Sequence, residues 1–326
     1  MSVHRQFFTG GLAALLAVFT APLAAQTQAS APTETQAKSR ESAVRSQSAG
    51  QTVASVVRAK PALWVVKDKD TTIYLFGTIH LLRPGIDWFQ GPIKKAFESS
   101  GELVLEIADQ SDAATQARVV QMALDRSGQP LTDKLPEAVR PKFTQLLTDY
   151  RLPAAVMDRM KPWFAAVTLT SAPLQKLGYD QAEGVEVKLR AYAQAAKKPI
   201  LGLETTEEQI GFFDSLSNDL QISLLVETIN EQADVEKTLA EMIDAWTVGD
   251  PLRLSATMNK SMEDDKGLQQ ILLFDRNEAW ADWIKARLDK PGTVFLAVGA
   301  GHLAGKGSVQ DALKVRQIKT KLVKSR

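Results

Sequence analysis

A chain of 326 residues, 44% hydrophobic and 24% charged, can bury a substantial core, which excludes a disordered or fibrous class. Its 39 Lys plus Arg balance 38 Asp plus Glu, and no long basic run carries interleaved aromatics, so no nucleic-acid partner is expected. The absence of cysteine excludes disulfides, cysteine nucleophiles and lipid attachment through a thiol.

The chain opens with His4 and Arg5, then the apolar stretch FFTGGLAALLAVFTAPLA, broken by Pro22 and followed by Ala24 and Ala25. Residues 1–25 read as a secretory signal peptide cleaved before Gln26, because the uninterrupted apolar part is shorter than the ~20 residues of a membrane span. An uncleaved anchor is the alternative. The expected location is a bacterial periplasm or the secreted fraction, with membrane contact only through the signal segment during export. Residues 26–58, rich in Ala, Gln, Ser and Thr and free of aromatics, read as a flexible tether, which leaves 59–326 for the folded domain.

Within that domain, ALWVV and TIYLFG, separated by the polar KDKDT, predict an antiparallel hairpin. A helix at about 92–99 and the strand ELVLEI follow. Residues 111–198 carry mainly helical periodicity, PILGLE is a short strand, and 206–290 are helical again until Pro291 and Gly292. TVFLAVGA is the last clear strand, and QIKTKLV is a candidate edge strand. Strands separated by helices argue for an α/β fold, a layered central sheet with its site at the strand ends and a large helical insertion.

The four clearest strands end in groups that bind metals or move protons. IYLFGTIH ends at His80, LVLEI carries Glu106, PILGLE ends at Glu204, and VFLAVGAGH ends at His302. In α/β sheets such ends share one edge, where ligands collect. Gly77 and Gly299 each stand three positions before a histidine, able to take unusual backbone angles and to admit a close neighbour. Cleavage of the signal removes His4, so both histidines of the mature chain lie in a Gly-x-x-His motif. Glu106 alternates with Leu105 and Ile107 and so points away from them, toward a covered face where its charge needs a metal ion, a donor, or a Lys or Arg. Glu204 precedes TTEEQ, in which Thr205 or Thr206 can cap a helix and a later Glu or Gln can answer, so Glu204 is either a ligand or a helix-start residue. The chain has no His-Glu-x-x-His helix, no phosphate loop ending in Lys-Ser or Lys-Thr, and no Gly-x-Ser-x-Gly elbow. Two imidazoles with one or two carboxylates suit a divalent transition metal that polarises a carbonyl and acidifies water.

Taken in order, LFGTIHLL, LVLEI, MKPW, LGLETTEEQI, RNEAW and VGAGHLAG resemble the TraB/GumN family, which is related to the Tiki metalloproteases and more distantly to erythromycin esterase-like and ChaN-like proteins. The resemblance runs from about Ala62 to Gly307. It implies a site on His80, Glu106 and His302 and, by the Tiki branch, metal-dependent peptide cleavage supported by manganese or cobalt. RNEAW adds Arg276, a fixed cation able to grip a carboxylate or an oxyanion, beside Asn277. The implied activity is that of a metal-dependent hydrolase of the peptidase kind. His80, Glu106, His302 and Glu204 would hold a manganese, cobalt or zinc ion, and Arg276 would assist attack on an amide or ester of a peptide or small-molecule substrate. The alternative is a non-catalytic module that binds a peptide or a metal in the same cleft. Trp88 and Phe89 in DWF and Trp163 in KPW read as packing residues. The family pattern expects a glycine before the final strand, and VRQIKTKLVKSR has none, which removes one signal for a closing strand.

Overall fold

The computed structural model describes residues 56–109, 113–258 and 266–324; the expected signal peptide and nearly all of the expected tether lie outside the described residues. At the tether's expected end, β1 (Val57–Arg58) is a short strand. β2 (Leu63–Lys67) and β3 (Thr71–Thr78) form the expected antiparallel hairpin. Asp68 closes its turn by accepting the Thr71 and Asp70 N–H groups at 2.7 and 3.1 Å. This is the local side-chain-to-backbone bonding that makes Asp a turn residue. β4 (Ile86–Asp87) pairs in parallel with β1.

After helix α1 (Gly91–Ser99) the chain enters β5 (Glu102–Ile107). It then runs through α2 (Ala113–Ala123), α3 (Arg140–Asp149), α4 (Pro162–Lys176) and α5 (Val185–Ala195) to β6 (Ile200–Glu204). A second helical run follows, α6 (Thr206–Asp214), α7 (Asn218–Glu231), α8 (Val235–Val248), α9 (Pro251–Met258) and α10 (Asp275–Arg287). β7 (Gly292–Gly299), α11 (Val309–Val315) and β8 (Thr320–Leu322) complete the fold. The closing strand therefore forms without the expected glycine.

The main sheet has the order β6-β5-β7-β3-β2-β8, with β6, β5, β7 and β3 mutually parallel. Period-two alternation sorts its side chains onto two faces. Phe76, Leu103, Leu105, Phe295 and Ala297 pack under α1, α5 and α8. Ile73, Leu75, Val104, Val294, Leu296 and Val298 pack under α10 and α11. A parallel sheet buried on both faces is read as continuous apolar runs, which is how these strands look in the sequence. The helical insertion has its own core, where α2, α3, α4, α6 and α7 contribute Val119, Phe143, Trp163, Phe213 and Leu224.

Trp88 and Trp163 are buried, as their reading as packing residues requires. Trp88 stacks on Phe76 at 5.7 Å between ring centroids. Phe89 stacks on Tyr192 at 4.2 Å.

Candidate active site

Because β3, β7, β5 and β6 run in parallel, Thr78, Gly299, Glu106 and Glu204 arrive at one edge of the sheet; Thr78 pairs with Gly299 and Ile107 with Glu204. Glu106 shares the face of Val104, the side covered by α10, as strand alternation predicts. There it meets Arg276, which a five-residue π-helical turn at Gln270–Phe274 delivers just inside α10. Such turns shift a helix by one residue and occur at functional sites.

Arg276 is only 2% exposed and links three of the expected site residues. Its Nε and Nη2 donate to Glu204 at 2.8 and 2.9 Å, its Nη2 also donates to Glu106 Oε2 at 2.8 Å, and its Nη1 faces His302 Nε2 at 3.1 Å. Glu106 also accepts the Gly299 N–H at 2.5 Å and the Gln209 amide at 3.0 Å. Burial works to raise the Glu106 carboxyl, but Arg276, His302, His80 and the Gly299 N–H together hold it below the usual carboxylate range. Glu204 comes out the other way. Burial raises it, Arg276 offsets this incompletely, and the neighbouring Glu106 charge adds to the rise. The helix-start signature after Glu204 is real but belongs to other residues, since Thr205 and Glu208 form the capping box of α6. Glu204 itself joins the Arg276 cluster and also accepts from Trp280 Nε1 at 3.0 Å.

Asn277 fixes the state of His302. Its amide nitrogen donates to the Gly307 carbonyl at 2.7 Å, so its oxygen faces His302 Nδ1 at 2.7 Å. Nδ1 then carries the hydrogen, and Nε2 carries the lone pair that accepts from Arg276. Burial first, and the Arg276 charge second, push the imidazole down to about 3, so His302 is neutral at neutral pH.

His80 is held differently. Its Nδ1 lies 2.5 Å from Glu186 Oε1, and the Thr78 hydroxyl donates to the same carboxylate. Burial raises the Glu186 carboxyl, yet His80 and Thr78 more than offset it and hold it below its ordinary value. Glu186 lies in the first turn of α5, which can dock here because residue 184 is glycine. A Cβ at Gly184 would sit 2.2 Å from the His80 carbonyl oxygen. The adjoining Val185 N–H donates to the Ile79 carbonyl at 3.0 Å. His80 is close enough to affect the charges of both Glu106 and His302.

The fold thus brings together all five expected residues, His80, Glu106, Glu204, Arg276 and His302. The glycine reading needs correction in one respect. Neither Gly77 nor Gly299 adopts a positive φ. Gly77 serves through space instead, since a Cβ there would lie 3.0 Å from Ala300 Cα. Sequence reasoning assigned no role to Glu186, Gln209 or Trp280; Gln209 and Trp280 stand inside the LGLETTEEQI and RNEAW motifs, and Gly184, two positions before Glu186, is the local signal for the third.

The four expected metal ligands do not fit an ion as they stand. Glu106, Glu204 and His302 all bond one guanidinium, and among the described residues no group of three or more His, Cys, Asp or Glu could hold a metal. One feature does suit a metal ligand: in each histidine Nδ1 faces an acceptor, which directs a lone pair to Nε2, although in His302 that lone pair already accepts from Arg276.

The chain is 24% identical over 254 residues to the uncharacterized protein YbaP of Escherichia coli (strain K12), covering 78% of this chain and 92% of YbaP. It is 25% identical over 305 residues to Metalloprotease TIKI1 of Danio rerio and 24% identical over 306 residues to Metalloprotease TIKI2 of Xenopus tropicalis. These alignments cover 77% of this chain but 61% and 58% of the two metalloproteases. No solved structure matches the chain. Residues 62–321, from the first strand of the hairpin to the closing strand and including every residue of the site, match the model of the TraB/PrgY/gumN family, and the chain belongs to that family.

Proposed function

We propose that the protein is an exported hydrolase that cleaves an amide or ester bond in a peptide or small-molecule substrate. The observation that carries the reading is the His80–Glu186 pair at the sheet edge. A carboxylate on Nδ1 orients the ring and stabilises the imidazolium that forms when Nε2 takes a proton from water. The positive field of Arg276 and the neutral His302 lie on the same edge. The names of the TIKI relatives support proteolysis in particular.

The metal-dependent form of this reading places manganese, cobalt or zinc on His80, Glu106, Glu204 and His302. The relatives' names and the held Nδ1 atoms favour it, and the engagement of three of those ligands by Arg276 opposes it. A non-catalytic binding module is the second reading, favoured by the number of internal partners that already satisfy Glu106 and Glu204. Export is supported by the first 25 residues, and the mature chain should start at Gln26 in the periplasmic fraction.

Turnover separates the readings. The purified full chain, incubated with a peptide library with and without added metal, should cleave some members, and His80→Ala should lower the rate by ~10²-fold or more. Cleavage at the wild-type rate by His80→Ala would remove the imidazole–carboxylate pair from the reaction.

A further inference from the structure

This inference rests on the hydrolase reading but concerns a different question: which cation the site contains. Arg276 offers five N–H donors and no acceptor, and it does not lose its charge in a protein. Each donor has a direction to go. Nε meets Glu204 Oε1 at 2.8 Å. Nη2 meets Glu204 Oε2 at 2.9 Å and Glu106 Oε2 at 2.8 Å. Nη1 meets His302 Nε2 at 3.1 Å and, more weakly, the Leu272 carbonyl at 3.4 Å. The guanidinium carbon also lies 4.8 Å from the centroid of the Trp280 ring. Trp280 in turn donates to Glu204. The burial that would otherwise favour a neutral arginine is outweighed by Glu106 and Glu204, which keep it charged.

We propose that Arg276 stands permanently where a divalent ion would sit between Glu106, Glu204 and His302, so that the native site carries a covalently attached cation and does not take up manganese, cobalt or zinc. Two physical reasons support this. The lone pairs that an ion would need are already directed at one guanidinium or, for Glu106, also at Gly299 and Gln209. An ion on the same carboxylates would lie within a few ångströms of a second positive charge. The other route, in which Arg276 withdraws, leaves a buried cation without its partners, a loss of several kcal/mol per ion. The consequence for the reaction is that Arg276 is a positioning residue. It fixes the ionised Glu106 and the neutral His302 while the His80–Glu186 pair handles the proton.

The test is metal binding rather than activity alone. Full chain dialysed against chelator is titrated calorimetrically with manganese, cobalt and zinc chlorides, and its melting temperature is followed in parallel. Wild type should show no stoichiometric binding tighter than about 1 mM and no metal-dependent rise in melting temperature. Arg276→Met keeps an apolar side chain of similar reach and releases the two carboxylates and the imidazole to one another. It should bind one ion about 100-fold or more tighter than wild type, melt higher with metal than without, and lose both gains when combined with His302→Ala. One-to-one micromolar binding by wild type that disappears in His302→Ala would overturn the proposal, as would an Arg276→Met protein that folds yet gains no site. If Arg276→Met does not fold, the wild-type titration decides by itself. Absence of turnover under every condition would defeat the hydrolase reading and leave the titration result standing. Turnover by wild type that appears only with added metal would keep the hydrolase and defeat this proposal.

Discussion

The neutral state of His302 makes a quantitative claim about acid stability. An unfolded histidine titrates near 6.5, whereas His302 in the folded protein titrates at about 3 because of burial and the adjacent Arg276. Between those values the unfolded chain binds one proton more than the folded one, so stability rises with pH across this window and is lost as pH falls through it. At 1.36 kcal/mol per pH unit, moving from pH 7 to pH 5 removes about 2 kcal/mol through this residue. His302→Gln retains an amide that can face both Asn277 and Arg276 but has nothing to titrate. Urea unfolding of both proteins at pH 7, 6 and 5 gives the comparison. Wild type should lose about 2 kcal/mol more than the variant over that span, with equal urea slopes so that the difference is one of stability. Parallel pH dependences in the two proteins would show that His302 takes up its proton in the folded state near its ordinary value, and the assignment of its Nε2 lone pair to Arg276 would fall.

Gly184→Ala would place a methyl group 2.2 Å from the His80 carbonyl oxygen, so α5 must shift. A cost of ~1–3 kcal/mol in denaturant unfolding is expected together with slower turnover, and an unchanged midpoint would show that the interface has slack. Glu186→Gln keeps a group that can face Thr78 and His80 but removes the charge; turnover should fall ~10–100-fold with little loss of stability at pH 7, measured as rate and melting temperature on the same preparation. A rate close to wild type would mean that the carboxylate does not tune His80. Trp88→Ala, in the cluster with Phe76 and Trp246, should cost ~3–5 kcal/mol by chemical denaturation, and a loss below ~1 kcal/mol would contradict its role as packing.

The strands that build the site were legible because each is an apolar run that stops at a polar residue, and such runs keep their meaning without knowledge of their neighbours. The two-residue strands Val57–Arg58 and Ile86–Asp87 carry no periodicity and became visible only by their pairing. His80, Glu106, Glu204 and His302 stood out for the same reason as their strands. Arg276 stood out through its motif alone, since Arg on a helix is ordinarily a solvent residue. Glu186 could not be separated from the many polar residues of the helices, and Gln209 stood inside the LGLETTEEQI motif without a role of its own. Their importance comes from docking: α5 approaches the His80 backbone through Gly184, and α6 turns Gln209 toward Glu106. Of the two readings of Gly77, unusual backbone angles and close approach of a neighbour, the second is the one that holds, since what matters there is the atom it lacks.

The pairing of β3 with β7 has a consequence for synthesis. Thr78 and Gly299 are neighbours in the sheet although most of the chain lies between them, so this ladder has high contact order and a large loop-closure entropy. His80 leaves the ribosome early and His302 near the end, while the helical insertion with its own core can fold in the interval. A nascent or prematurely terminated chain that stops before β7 has neither the Gly299 N–H on Glu106 nor His302 beside Arg276. The arrangement ties assembly of the Glu106–Arg276–His302 cluster to synthesis through β7 and His302, however early His80 and Glu106 are made.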